Sequence, residues 1–279
     1  MIRGCGVARP KPWEVDDALG AVIQPLLPEV ERRARHPGRK RHPDRLVFQG
    51  ILFVLHTGIA CEHLPQELGF GPGMTCRLRP AEWTEAGVWP RLHEVLLAEL
   101  RSVDALDFSR AAVDGSHIRG VEEGSKTGRS LVDRGRTGSK HHLITDAIGI
   151  PLAAILTGGS RNDVTRLIPL LEAVPPVRGK RGRPRRRPDV VLGDRGYDHG
   201  KYRRLVRDLG VKPLIARRGT EHGSGLGTQR WLVKRAFAHL HWFRRLRICW
   251  ELRDDIHEAF LTLGCALLCW RRLNSAVAR

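Results

Sequence analysis

Two aspartates, Asp114 and Asp194, each end a short apolar run. A glycine directly follows Asp114, and another comes two residues after Asp194. The runs read Ala-Ala-Val-Asp-Gly and Val-Val-Leu-Gly-Asp-Arg-Gly. A carboxylate at the end of a buried strand, with a glycine that lets the backbone turn away, can present its oxygens to a cleft. Two such strand ends predict a metal site, although aspartates in these contexts also cap turns.

The chemistry that such a pair could support is phosphodiester cleavage or strand transfer. This reaction needs an activated oxygen nucleophile and a stabilised leaving oxygen, and two divalent metal ions can supply both. Carboxylates are suitable ligands because Mg²⁺ prefers hard oxygen donors. We therefore expect Mg²⁺, or Mn²⁺, to be held by Asp114 and Asp194.

The elements that must position these aspartates are short β-prone runs, which alternate with helical stretches. The runs lie at 111–113, 142–145, 151–156, 189–192 and 213–216, and the helical stretches at 162–174, 199–209, 229–252 and 256–273. This alternation predicts an α/β domain with a mixed sheet flanked by helices. Upstream, apolar residues recur at helical spacing over 15–27, 45–56 and 89–100. We thus predict an all-helical N-terminal domain at 1–103 and an α/β domain at 104–279.

The charge of the chain indicates a polyanionic partner, and DNA is our first expectation. The 279 residues include 48 Lys and Arg against 30 Asp and Glu, for a formal net charge of +18. A segment at 178–188 has seven cations, no acid, and glycines and prolines that prevent a regular helix. It is a solvated loop that can also contact phosphates. The cations predicted to contact DNA are Arg39, Lys40, Arg41, Lys180, Arg181, Arg183, Arg185, Arg186, Arg187, Arg235, Arg244 and Arg245.

Neither a membrane anchor nor a disulfide framework is expected. No stretch approaches 18 uninterrupted apolar residues, and the first residues lack the apolar core of a signal peptide. The six cysteines are scattered without a Cys-x-x-Cys pair, so we interpret them as core residues. These features favour a cytoplasmic protein without membrane contact.

Several motifs resemble those of bacterial insertion-sequence transposases of the IS-five branch. They include Val-Asp-Gly-Ser-His at 113–117 and Gly-Asp-Arg-Gly-Tyr-Asp at 193–198, with further similarity at 132–142, 159–164 and 216–219. The similarity also reaches 26–28, 36–40 and 50–58, and so covers nearly the whole chain. The resemblance implies an RNase H-like catalytic core, an N-terminal domain that grips the ends of the element, and three acids. It also implies a homo-oligomer on DNA, because two terminal inverted repeats and a target must be brought together.

By position, Asp114 and Asp194 resemble the first two acids of this family, whereas the third departs from its pattern. The family's glutamate belongs in the helix that begins near Arg230, and the residue at its position is Lys234. At about 4 Å and an effective dielectric of about 20, each repulsive pair of a lysine and a metal charge costs about 4 kcal/mol. Even a residual penalty of about 2 kcal/mol lowers metal affinity roughly thirtyfold.

Two other acids could be considered at the third position. Along one continuous helix, Glu251 would lie about 25 Å from Lys234, which makes it a poor substitute. Glu221 lies in the preceding glycine-rich loop, from which it could swing in.

A second departure concerns Pro80. If Thr75 caps a helix, Pro80 falls at the fifth helical position, at a cost of about 3 kcal/mol; the helix could instead begin near Pro80.

The sequence therefore favours a DNA transposase that depends on divalent metal. Two alternatives stay open: a decayed copy that binds DNA without cleaving it, and a metal-dependent nuclease with the same core.

Overall fold

A computed structural model describes residues 11–31, 34–35, 38–121, 123–130, 133–219 and 227–277. The N-terminal part consists of helices, as predicted. They are α1 (Asp17–Ile23), α2 (Asp44–Thr57), α3 (Gly73–Glu85) and α4 (Val88–Ser102). Phe48, Trp83 and Trp89 are fully buried between them, so aromatic packing holds this helical part together.

The helix α3 differs from both sequence-based expectations. It begins at Gly73, directly after Pro72, and continues through Pro80. A β-carbon at Gly73 would lie only 2.0 Å from the carbonyl oxygen of Cys61, so only glycine lets these two backbone segments approach so closely. Pro80 has no N–H to donate to the carbonyl four residues before it, and the helix nevertheless persists because Trp83 and its neighbours are buried.

The second part contains the predicted strands, most of them longer than their apolar runs. The strands are β1 (Ala111–Gly120), β2 (Gly128–Arg129), β3 (Thr137–Asp146), β4 (Pro151–Gly158), β5 (Val190–Gly193), β6 (Lys212–Ile215) and β7 (Ile248–Cys249). Strands β4, β3 and β1 form an antiparallel meander, and β5 and β6 continue the sheet in parallel with β1. An antiparallel meander extended by parallel strands is the mixed sheet of an RNase H-like fold, so the predicted fold class is confirmed.

The remaining helices cover the sheet and connect it to the N-terminal part. They are α5 (Leu167–Glu172), α6 (Gly200–Asp208), α7 (Gly227–Leu240) and α8 (Asp254–Val277). Helix α7 packs against β1 and β3, whereas α8 packs against β4 and α4. The core is therefore continuous between the N-terminal helices and the sheet, and the boundary near residue 103 stays a prediction.

Among the described helices, none combines the length and the apolarity that crossing a membrane requires.

Candidate active site

Asp114 and Asp194 lie side by side because of the register of two parallel strands. Ala112 of β1 pairs with Leu192 of β5, and each aspartate follows two residues later in its strand direction. Alternate residues of a strand point to the same face, so the two carboxylates come together at the end of β5. The sheet thus confirms the convergence that the two apolar runs indicate.

In each carboxylate, one oxygen accepts a hydrogen bond from a nearby backbone N–H, and the other points to the space between the two aspartates. Asp114 Oδ1 accepts from the backbone N–H of Gly115 at 2.9 Å, and Asp194 Oδ1 accepts from that of Gly196 at 2.8 Å. The turn-capping role is therefore real for Asp194, which begins a short 3₁₀ turn. In both residues the Oδ2 atom remains for other partners.

The partner of both free oxygens is Arg230, on α7. Its Nη2 atom lies 3.2 Å from Asp114 Oδ2 and 3.4 Å from Asp194 Oδ2. Burial raises the pKa of the Asp114 carboxyl and Arg230 opposes that rise, with a net upward shift. A single guanidinium nitrogen thus takes the position in which a cation can contact both acids.

Lys234 lies one helical turn after Arg230, on the same face of α7. Its ammonium also lowers the pKa of Asp114, although less than Arg230 does. The side chain is exposed. The residue at the expected third-acid position therefore adds a second positive charge to the site.

Of the two acids considered for the third position, only Glu251 lies in the part of the chain that the structure describes, and it does not take that role. Glu251 is not on α7, because this helix ends at Leu240 and a 3₁₀ turn and β7 follow. The one-helix estimate of its distance was therefore wrong, but Glu251 is engaged elsewhere, with Arg245 at 2.6 Å and His257 at 2.9 Å. Glu221 lies outside the described residues.

Sequence reasoning missed a third carboxylate next to the pair. Asp163 Oδ1 lies 3.0 Å from Lys140 Nζ, and a β-carbon at Gly115 would approach the same oxygen to 2.6 Å. All three acids lie near the buried Tyr197. Burial and then the charges of Asp163, Asp114 and Asp194 raise the pKa of its hydroxyl well above the usual value. The only signal in the sequence was the segment 159–164, which gave the resemblance but no role.

Some of the predicted DNA-contact residues are exposed cations, others bind the protein itself, and Arg235 does both. Arg41 pairs with Glu82 at 2.6 Å, and Arg185 pairs with Asp189. Arg187 donates to the carbonyl of Leu171. Those with exposed side chains are Arg39, Lys40, Lys180, Arg181, Arg183, Arg186, Arg235 and Arg244.

Two cations of this set near the sheet are also engaged. Arg245 donates to Glu251 and to the carbonyls of Gly58 and Ile59, so it joins the N-terminal helices to the second part. Arg235 stacks on Trp231 at 4.5 Å and donates to the carbonyl of Ile148 at 2.8 Å. Arg245 is therefore turned toward the protein and does not fit its predicted role in DNA contact.

Comparison with protein families adds to this geometry. Residues 106–269 match the family model described as "Transposase DDE domain", which is more than half of the chain and includes both aspartates. The chain belongs to this transposase family. Residues 15–93 also match the model described as "Putative transposase of IS4/5 family". The identity expected from the motifs is thus confirmed, and by family this DDE transposase is an enzyme that cleaves and transfers DNA strands.

Individual relatives agree with the family assignment. The chain is 62% identical over 151 residues to the "Putative transposase for insertion sequence element IS402" of Burkholderia cepacia, covering 54% of this chain and 72% of the relative. It is 52% identical over 117 residues to an IS402 uncharacterized 16.2 kDa protein of the same organism, covering 42% and 80%. A solved Mos1 transpososome structure is 15% identical, with coverage of 90% and 82%, but its TM-score of 0.28 is too low for an argument.

Divalent metal use goes with the DDE family, and the two Oδ2 atoms fit one such ion. They are hard oxygen donors that converge on one point, where Arg230 Nη2 now serves as a positive stand-in. A pair of ions does not fit equally well, because Lys234 offers no ligand. With lysine at position 234, the two aspartates by themselves offer oxygen ligands for one ion.

Proposed function

We propose that this transposase binds the terminal inverted repeats and the target DNA of its insertion sequence as a homo-oligomer in the cytoplasm. We further propose that its strand cleavage, which uses Mg²⁺ or Mn²⁺, is impaired. The observation that carries the second part is the pair of cations, Arg230 and Lys234, on the helix that faces Asp114 and Asp194.

The charge balance of the site explains the impairment. The two aspartates carry two negative charges, and the two cations of α7 cancel them before any metal arrives. With glutamate at position 234 the same four side chains would carry two net negative charges, enough to balance one divalent ion. Lys234 therefore removes both a ligand and the electrostatic attraction for the ion.

Each side chain has a distinct role in the proposed site. Asp114 and Asp194 would hold the ion through their Oδ2 atoms, while backbone N–H groups orient the opposite oxygens. A bound divalent ion supplies Lewis-acid stabilisation of phosphate oxygens and an activated oxygen nucleophile. For the ion to bind, Arg230 must leave its position between the two Oδ2 atoms. Its guanidinium could then pair with a DNA phosphate.

DNA binding is supported separately by the exposed cations. The loop at 178–188 presents Lys180, Arg181, Arg183 and Arg186 to solvent. Arg101 anchors this loop through the carbonyls of Val177 and Arg183. Such contacts give affinity without reading sequence, so this loop would support binding at both the repeats and the target.

The proposal is tested with purified protein and DNA that carries the inverted repeat, in Mg²⁺ or Mn²⁺. We expect the unmodified chain to bind this DNA in a gel-shift assay without cleaving it. Lys234→Glu should bind comparably and cleave strands. Lys201→Glu, an equal charge change on the exposed face of α6, is the matched control and should not cleave.

Two outcomes would contradict the proposal. Strand cleavage by the unmodified chain would show that Lys234 is compatible with catalysis. Absence of specific binding to repeat-end DNA would remove the DNA-recognition part. A nuclease outside transposition is distinguished by the genome, since a mobile element has imperfect inverted repeats and a short target duplication at its flanks.

A further inference from the structure

A second group of side chains with metal-binding chemistry lies away from the aspartates. Cys249, Glu251 and His257 each offer a ligand atom, and these atoms all lie within 4.8 Å of one another. Cys249 pairs with Gly120 at the far end of β1, six residues and thus about 20 Å from Asp114. The cluster is therefore separate from the transposition site.

We propose that Cys249, Glu251 and His257 form a binding site for Zn²⁺. Zn²⁺ takes thiolate, imidazole and carboxylate ligands, at about 2.3 Å for sulfur and about 2.0–2.2 Å for nitrogen and oxygen. In a tetrahedral site such ligand atoms lie about 3.3–3.7 Å apart. Donors already within 4.8 Å need shifts of about 1 Å, which side-chain rotations supply.

The carboxylate of Glu251 is oriented for this role by its neighbours. Its Oε1 atom accepts from Arg245 Nε at 2.6 Å, which fixes the plane of the group. Its Oε2 atom faces His257 Nδ1 at 2.9 Å. Arg245 thus holds one oxygen, while the other accepts from the backbone N–H of Trp250 at 3.2 Å and faces His257 and the proposed metal position.

The imidazole of His257 has the outer partner that metal-bound histidines usually have. When Nδ1 binds the ion, Nε2 carries the remaining ring proton, and His141 Nε2 lies 3.0 Å away to accept it. An outer hydrogen bond of this kind fixes the ring and its tautomer. Both rings are fully buried, so this orientation is enforced by packing.

The three side chains of the cluster are all buried. The exposed side-chain fraction is 7% for Glu251 and 0% for His257, and Cys249 is 3% exposed. Binding forms one bond each from sulfur, nitrogen and oxygen to Zn²⁺, and the thiol proton and any proton on Nδ1 pass to the buffer. No oxidant or reductant is needed.

Three protein ligands leave the fourth position to water. Glu251 borders a cavity of about 710 Å³ between α3 and the start of α8, with Arg245 and Trp250 among its other lining residues. Of the three proposed ligands Glu251 alone lines this cavity, so an ion and its water would reach the cluster from the side of Glu251. A metal at this position would link β7, which carries Cys249, to α8, which carries His257.

The test is direct titration of the metal-free full-length chain, with no DNA present. We expect one equivalent of Zn²⁺ to bind in competition with a chromophoric chelator. Co²⁺ should give the visible absorption of a tetrahedral site, with a thiolate charge-transfer band. Cys249→Ser and His257→Gln should each lower Zn²⁺ affinity at least tenfold, and Cys249→Ser should abolish the thiolate band.

The control is Cys265→Ser, which removes a buried thiol of α8 that lies outside the cluster. It should leave both the stoichiometry and the Co²⁺ spectrum unchanged. Absence of Zn²⁺ binding by the unmodified chain would overturn the proposal and leave a metal-free buried network around Glu251. So would binding that Cys249→Ser and His257→Gln, shown by circular dichroism to be folded, do not weaken.

Discussion

Arg230 and Asp114 form an ion pair in which one guanidinium nitrogen lies 3.2 Å from a carboxylate oxygen, within reach of Asp194 as well. This contact puts a cation of the protein between the two acids that we propose as metal ligands. Together with Lys234 on the same helix face, it makes the site electrically balanced before metal binds. We therefore expect the charge of α7 to decide how strongly a divalent ion is held.

Lys234→Glu should raise the affinity of the chain for Mn²⁺ about thirtyfold, because it replaces a repulsion of about 2 kcal/mol and supplies a ligand. Calorimetric titration of the protein without DNA measures this change. Lys201→Glu should leave the affinity unchanged. An equal gain in both variants would mean that general charge, rather than the third-ligand position, controls binding.

Asp114→Asn should stabilise the protein at pH 7. Burial raises the folded-state pKa of Asp114, so the stability that this carboxyl contributes is present below its unfolded pKa and lost as pH rises through the folded pKa. The amide does not ionise, and the difference in melting temperature between variant and parent should grow from pH 4 to pH 7. A variant less stable than its parent at pH 7 would show that the pair with Arg230 outweighs the cost of burial.

Acid should destabilise the chain through His93, a residue of α4 that bonds to the carbonyl of Pro151 at 3.0 Å. Complete burial lowers the pKa of His93 to about 4, against 6.5 ordinarily, and its hydrogen bond opposes this only in part. The unfolded chain therefore binds a proton that the folded chain does not, and stability is lost as pH falls from about 6.5 to 4, by roughly 3 kcal/mol.

His93→Gln removes this titration and keeps a donor for Pro151. Chemical denaturation at pH 7 and pH 4.5 should show a smaller loss for the variant than for its parent. Equal losses would assign the acid sensitivity to other buried histidines.

Substitutions of exposed arginines in the loop at 178–188 should lower DNA affinity without lowering the stability of the fold. Replacing Arg181, Arg183 and Arg186 by alanine should weaken binding to all sequences. If each contacts one phosphate, the slope of log affinity against log salt should fall by about 3. The melting temperature should stay unchanged.

Arg187→Ala should instead destabilise the fold by about 1 kcal/mol, because it loses the hydrogen bond to the carbonyl of Leu171. Fluorescence binding at several salt concentrations and thermal melts distinguish this loss of stability from the loss of DNA affinity in the triple variant.

The sequence by itself determined the strands and the acids that they carry. Apolar runs ending in Asp114 and Asp194 predicted two neighbouring strand ends, because strand patterns are local and of period two. It also identified Lys234 as a departure, through motifs that match a family position by position. Predicted strands and helices mostly lie within a few residues of those observed, with the stretch at 229–252 as the main exception.

Only the tertiary structure decided which charges meet. Arg230 lies more than a hundred residues from Asp114 along the chain, and the packing of α7 on β1 brings them together. The same holds for Asp163, which lies beside Gly115. The pairs Arg245–Glu251 and Cys249–His257 are close along the chain, but their convergence depends on the turn and strand between α7 and α8. Such contacts depend on sheet register and helix orientation, which arise from burying the whole core at once and leave no local pattern in the sequence.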